Sequence, residues 1–187
     1  MGVALGKYLA WVRRTWCVGS KKTKNLESEP EPAVLVELDE LYWFIGKKPR
    51  TQTRENAYII TMVSREPRQI VAWEVALDKA ASTIQGMVDR APEAALYCTD
   101  GYVAYMDVIY PGGHLRNMYD KSDTFTVESV NADLRHYIPG LARRRRCFYR
   151  RLETLVAVMK WFVLAYNKFG QAKLAHPKAT FSLIDFF

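Results

Sequence analysis

The chain has 187 residues, 27 Lys and Arg against 20 Asp and Glu, and a net charge of +7. That length suits one domain with a sizeable core plus an appendage, and 49% hydrophobic with 25% charged residues is ordinary globular composition. The positive surplus favours a polyanionic partner, while three scattered cysteines (Cys17, Cys98, Cys147) without a C-x-x-C pair imply neither a disulfide framework nor a zinc site.

In chain order, residues 1–20 place Leu5, Tyr8, Leu9 and Val12 at helical spacing, and "KKTKNLESEPEP" (21–32) reads as a charged, proline-bearing linker. From residue 33, "AVLVELDELYWFIG" is β-rich, with Leu35, Glu37, Asp39 and Leu41 alternating onto one face. "AYIITMVS" and "IVAWEVAL" are two more strands, joined by short turns that predict antiparallel neighbours. "ASTIQGMVDRA" predicts a helix with Ile84, Met87 and Val88 inward, "ALYCT" a fourth strand ending at Asp100, "YVAYMDVIY" a helix stopped by Pro111-Gly112-Gly113, and "HLRNM" a short fifth strand. "TFTVESVNADLRHYI" predicts a helix with Val127, Val130, Leu134 and Ile138 inward, capped by Thr124 or Thr126. After the run "RRRRCFYRR", Leu152, Leu155, Val156, Met159, Phe162, Val163 and Tyr166 give the last helix a broad apolar face. No stretch reaches the roughly 20 apolar residues that cross a membrane, Lys160 breaking the longest, and no secretory signal pattern opens the chain, so a cytoplasmic protein is expected.

Three antiparallel strands, then strands joined by helical crossovers, predict an α/β fold: a mixed five-stranded sheet flanked by helices on both faces, on the ribonuclease-H-like plan. In that plan the first and fourth strands are neighbours, so Asp39 and Asp100 reach one point, and Glu128 is aimed there by the helix after the fifth strand. A lone Asp at a strand end is ordinarily a turn former, and a Glu in a first helical turn ordinarily favours the helix's positive end. Three converging carboxylates repel one another unless a cation sits between them. Oxygen ligands suit Mg²⁺ or Mn²⁺, and two such ions about 4 Å apart serve phosphoryl transfer. A phosphodiester substrate also accounts for the positive charge. No Gly-rich phosphate loop points to an ATPase.

"VELDELYWFIGKK", "IVAWEV", "TDGYVAY" and "TVESVNADLRHYIPGLARRRRCF" together resemble the catalytic domain of DDE-class insertion-sequence transposases, most closely the insertion-sequence-1 family, over about residues 33–169. The resemblance implies a ribonuclease-H-like fold, two Mg²⁺ ions, the triad Asp39, Asp100 and Glu128, and DNA strand cleavage and strand transfer on transposon ends and target DNA. It also implies a bacterial or archaeal, nucleoid-associated protein that works as a homo-oligomer on DNA. Arg135, seven positions after Glu128 on the same helical face, matches the family's basic residue and is expected to hold a phosphate; Asn131 is expected to orient Glu128 or touch DNA. Ser129 stands where relatives often carry a basic residue. Glu37 is a candidate auxiliary ligand and His136 a minor DNA candidate.

Arg143, Arg144, Arg145 and Arg146, with Arg150 and Arg151, are the densest positive cluster and read as a phosphate-binding run; Lys47, Lys48, Arg50 and Arg54 form a second patch. The expected organisation is residues 1–32 as helix and linker, 33–170 as catalytic domain and 171–187 as tail. Relatives carry an N-terminal domain that reads the element's ends, so a fused, frameshifted or separate upstream end-binding polypeptide is expected here. The alternative is a catalytically idle, truncated remnant that only binds DNA, and a structure-selective nuclease on the same fold is a third reading.

Overall fold

A computed structural model describes residues 33–45, 55–117, 123–142 and 149–187. The expectations for residues 1–32, for the basic patch at 47–54 and for Arg143 to Arg146 lie outside the described residues. The elements are β1 (Ala33–Ile45), β2 (Glu55–Ser64), β3 (Gln69–Ala76), α1 (Ala81–Val88), β4 (Ala94–Thr99), β5 (Gly113–Arg116), α2 (Phe125–Tyr137) and α3 (Leu152–Ala175).

The strands form one sheet in the order β3-β2-β1-β4-β5. β1 pairs β2 antiparallel, with Asp39 opposite Thr61, and β2 pairs β3 antiparallel with a bulge at Met62/Val63. β1 pairs β4 parallel through Leu38 and Thr99, and β4 pairs β5 parallel. The sheet is therefore mixed, as its turns and crossover predict: short turns make antiparallel pairs, and a return through α1 makes a parallel one.

Both faces are covered, which is why β1 is almost continuously apolar. Leu41, Trp43 and Ile45 join Ile59, Val130, Leu134, Leu155 and Phe162 under α2 and α3. Val36 and Leu38, of opposite parity, join Ile60, Met62, Ile84, Met87 and Tyr97 under α1. Each such side chain, fully buried, contributes about 1.5–3 kcal/mol. On α3 the periodic face holds as expected at Leu155, Met159, Phe162 and Tyr166, whereas Val156 is exposed. The expected domain boundary at 170 falls inside α3, and Leu183 beyond it is buried in the same core.

One predicted helix is not formed. "YVAYMDVIY" holds only a 3-10 turn, Val103–Asp107, and then runs extended. Two hydrogen bonds explain this. Gln85 of α1 accepts from Ile109 N (2.7 Å) and donates to Ile109 O (3.1 Å), taking the backbone groups a helix would need. The β4–β5 crossover is thus a turn and an extended segment rather than a helix.

Candidate functional site

β1 and β4 lie side by side in parallel, so the residues after the Leu38–Thr99 pair, Asp39 and Asp100, emerge together. Asp100 is the first residue past β4, and its Oδ1 accepts from Tyr102 N at 2.9 Å, which turns the chain away from the sheet. α2 packs on β1 and β2 and carries Glu128 in its first turn, half-buried. The three expected residues thus lie on three elements that pack together, Asp39 and Asp100 past paired strand residues and Glu128 on the helix over β1 and β2. Their electrostatics agree. Burial, first, pushes the Asp39 carboxyl above its ordinary value; bonds from Asn131 and the Glu40 N–H pull it down; and the negative charges of Asp100 and Glu128 push it up again.

Asn131 is buried and donates its amide to Asp39 Oδ2 at 2.8 Å, while its Oδ1 accepts from Thr61 Oγ1 at 3.3 Å. Its hydrogen bonds thus go to Asp39 and Thr61, so the carboxylate it orients is Asp39. Arg135 is half-buried in the last turn of α2, two turns beyond Glu128. His136 is exposed and meets Tyr137 edge-on, 4.7 Å between rings.

Glu37 is not an auxiliary ligand. It is fully buried, and both its oxygens are engaged: Oε2 accepts from Thr126 N (2.7 Å) and Val127 N (2.9 Å), and Oε1 from Arg65 Nε (2.7 Å). It caps α2, where neither threonine does: Thr124 stands at the N-cap with no side-chain cap bond. A carboxylate at a helix N-terminus is favoured by both the open N–H groups and the helix dipole.

Sequence reasoning passed over four further residues. Thr61 has no motif and is found only through strand register. Arg65 and Arg68 lie in the second turn, whose basic character was a visible signal. Arg68 Nη2 donates to Ser129 Oγ at 2.6 Å, so a guanidinium from the β2–β3 turn arrives beside the residue that follows Glu128. Glu40, next to Asp39 but on the opposite face, pairs with Lys79 at 3.5 Å; burial, first, raises its carboxyl, and the charges of Asp100 and Asp39 raise it further. Lys79 lies 3.6 Å from the centre of the Tyr102 ring.

The donor set is chemically right for a hard divalent cation: carboxylate oxygens, half-exposed, whose mutual repulsion a cation would relieve. Among the described residues, however, no group of three or more His, Cys, Asp or Glu side chains stands in metal-holding arrangement. A cavity of about 510 Å³ between Arg68, Asp133, Tyr166 and Lys173 takes in none of the three carboxylates. No helix among the described residues is long and apolar enough to cross a membrane. Neither a comparison with protein-family models nor a search of curated proteins finds a match to the chain.

Proposed function

We propose that this chain is a DDE-class transposase catalytic domain on a ribonuclease-H-like fold, cutting and joining DNA strands with Mg²⁺ or Mn²⁺. What supports the reading is placement: Asp39 and Asp100 each follow the Leu38–Thr99 pair on two parallel strands, and Glu128 stands in the first turn of the helix packed on β1. The strand order β3-β2-β1-β4-β5, with its antiparallel triple and parallel β1–β4 pair, is the order that plan has. Asp39, Asp100 and Glu128 would hold the metal, which supplies activation of the attacking oxygen and stabilisation of the leaving one. Asn131 and the Glu40 N–H each donate to one oxygen of the Asp39 carboxylate, and its remaining lone pairs would meet the cation. DNA is the partner, met through Arg135 and the basic run at Arg143 to Arg146.

The reading is tested with plasmid DNA carrying the element's ends, in Mg²⁺, together with the end-binding polypeptide. Asp39→Asn, Asp100→Asn and Glu128→Gln should each abolish strand cleavage while leaving the fold intact. Retained Mg²⁺-dependent cleavage in any of them would sink the assignment. The absence of a ready three-carboxylate arrangement among the described residues favours one other reading, an idle remnant that binds DNA only. That reading expects DNA binding without any Mg²⁺-dependent cleavage in the parent protein.

A further inference from the structure

Every residue of the carboxylate set sits one or two positions from a member of a single hydrogen-bonded chain. Glu37, two before Asp39, accepts from Thr126 N and Val127 N, the two residues before Glu128. Its other oxygen accepts from Arg65 Nε, and Arg65 Nη2 donates to Asp123 O at 3.2 Å. Asp123 Oδ2 accepts from Asn117 Nδ2 at 2.9 Å, and Asn117 N donates to the carbonyl of Thr99 at 3.0 Å, the residue before Asp100. The Arg65 guanidinium also lies 4.9 Å from the centre of the Phe125 ring at the start of α2.

We propose that the buried Glu37, paired with the partly exposed Arg65, is the positioning device of the site, a clamp that fixes α2 against β1 and β4 and so sets where Glu128 stands relative to Asp39 and Asp100. The inference deepens the metal-site reading and rests on it. Its physical basis is the cost of a buried charge. Glu37 has no exposed surface, so its charge is tolerated only with its partners in place. Three charge-assisted bonds to two different elements leave it one low-energy geometry. A threonine cap would have held the start of α2 to itself alone. A carboxylate from β1 holds it to the sheet, on the face and strand that carry Asp39. Arg65 extends the hold to residue 123, and Asn117 carries it to the end of β4. Glu37 and Arg65 are positioning residues; neither would touch the metal or DNA to do this.

The test separates position from mere stability. Glu37→Gln keeps the shape and removes the charge; Arg65→Met removes the guanidinium while keeping most of the stem, and is the milder variant should Glu37→Gln fail to fold. Val130→Ala, in the core face of the same helix, is the control for loss of stability without loss of the clamp. Three readouts are taken: Mg²⁺ half-saturation from the concentration dependence of each variant's metal-induced rise in melting temperature, relative to that variant without metal, and, well below each variant's own melting temperature, amide exchange at the start of α2 and strand cleavage. The clamp predicts that Glu37→Gln and Arg65→Met raise the Mg²⁺ half-saturation at least fivefold and speed exchange at Thr126 and Val127, with cleavage lowered tenfold or more. Val130→Ala should leave the half-saturation within twofold of the parent. Equal shifts in all three variants, or an unchanged half-saturation in Arg65→Met, would overturn it. If Asp39→Asn also leaves Mg²⁺ half-saturation unchanged, the metal-site reading itself has failed; if Asp39→Asn abolishes the metal effect and the clamp variants do not, only the clamp has.

Discussion

Asn131 shows how a single amide couples sheet and helix. Its donor goes to Asp39 and its acceptor is met by Thr61, on the strand opposite, so neither end is left unsatisfied in the core. Asn131→Ala should lower stability by about 1–3 kcal/mol, the cost of stranding buried partners, as read from denaturant unfolding. Thr61→Val, which removes only the weaker, longer bond, should cost less. Asp39 itself predicts a pH dependence. Its folded pKa is raised, burial being the first cause and its acidic neighbours adding to it. The folded protein therefore binds more protons than the unfolded chain in the window that opens upward from the ordinary Asp value. Stability from this group is greatest below that window and is lost as pH rises through the folded pKa. Thermal unfolding without divalent metal should show this fall, and Asp39→Asn should flatten it.

At the scale of elements, β5 is held by backbone closeness rather than by apolar burial. A Cβ on Gly112 would collide with the carbonyl oxygens of both Ala94 and Ala95, backbone atoms that cannot turn aside. Gly112→Ala should therefore cost about 1–3 kcal/mol and loosen β5 first, visible as faster amide exchange at Leu115 and Arg116 than in the rest of the sheet. The same crossover marks a limit of pattern reading. Val103, Tyr105 and Val108 suit several conformations, and the Gln85 side chain that holds Ile109 extended comes from another element. The cap of α2 has a similar lesson. Local sequence points to threonine, and the carboxylate that does the work comes from β1, which no window around residue 125 contains.

For the described part of the molecule, strand number, the antiparallel pairing of β1, β2 and β3 and most of the inward helical faces were legible because periodicity and turn length are local signals, whereas the β1–β4 neighbourhood came from fold analogy. Asp39, Asp100 and Glu128 were grouped in the sequence through order, spacing and the resemblance, and strand register adds that Asp39 and Asp100 follow a parallel pair. Asn131, Thr61, Arg65 and Glu37 acquire their roles from contacts between distant segments, and of these Thr61 has no local pattern that singles it out. Charge acts at this largest scale as well. If the run Arg143 to Arg146 neutralises about four phosphates, its replacement by Ala should flatten the dependence of log K on log salt by about 3.6 for any duplex. An unchanged slope would remove that run from the DNA contact.

The central claim is that Asp39, Asp100 and Glu128 share one divalent cation, and Mg²⁺-dependent stability measures it most directly. For a Kd of about 1 mM, 10 mM Mg²⁺ should stabilise the parent protein by about 1.4 kcal/mol, a rise in melting temperature of about 3–5 °C. Each of Asp39→Asn, Asp100→Asn and Glu128→Gln should lose most of that rise, while a monovalent salt at equal ionic strength should not reproduce it in the parent. A parent protein whose melting temperature ignores Mg²⁺, or a rise that survives in all three variants, would contradict the account.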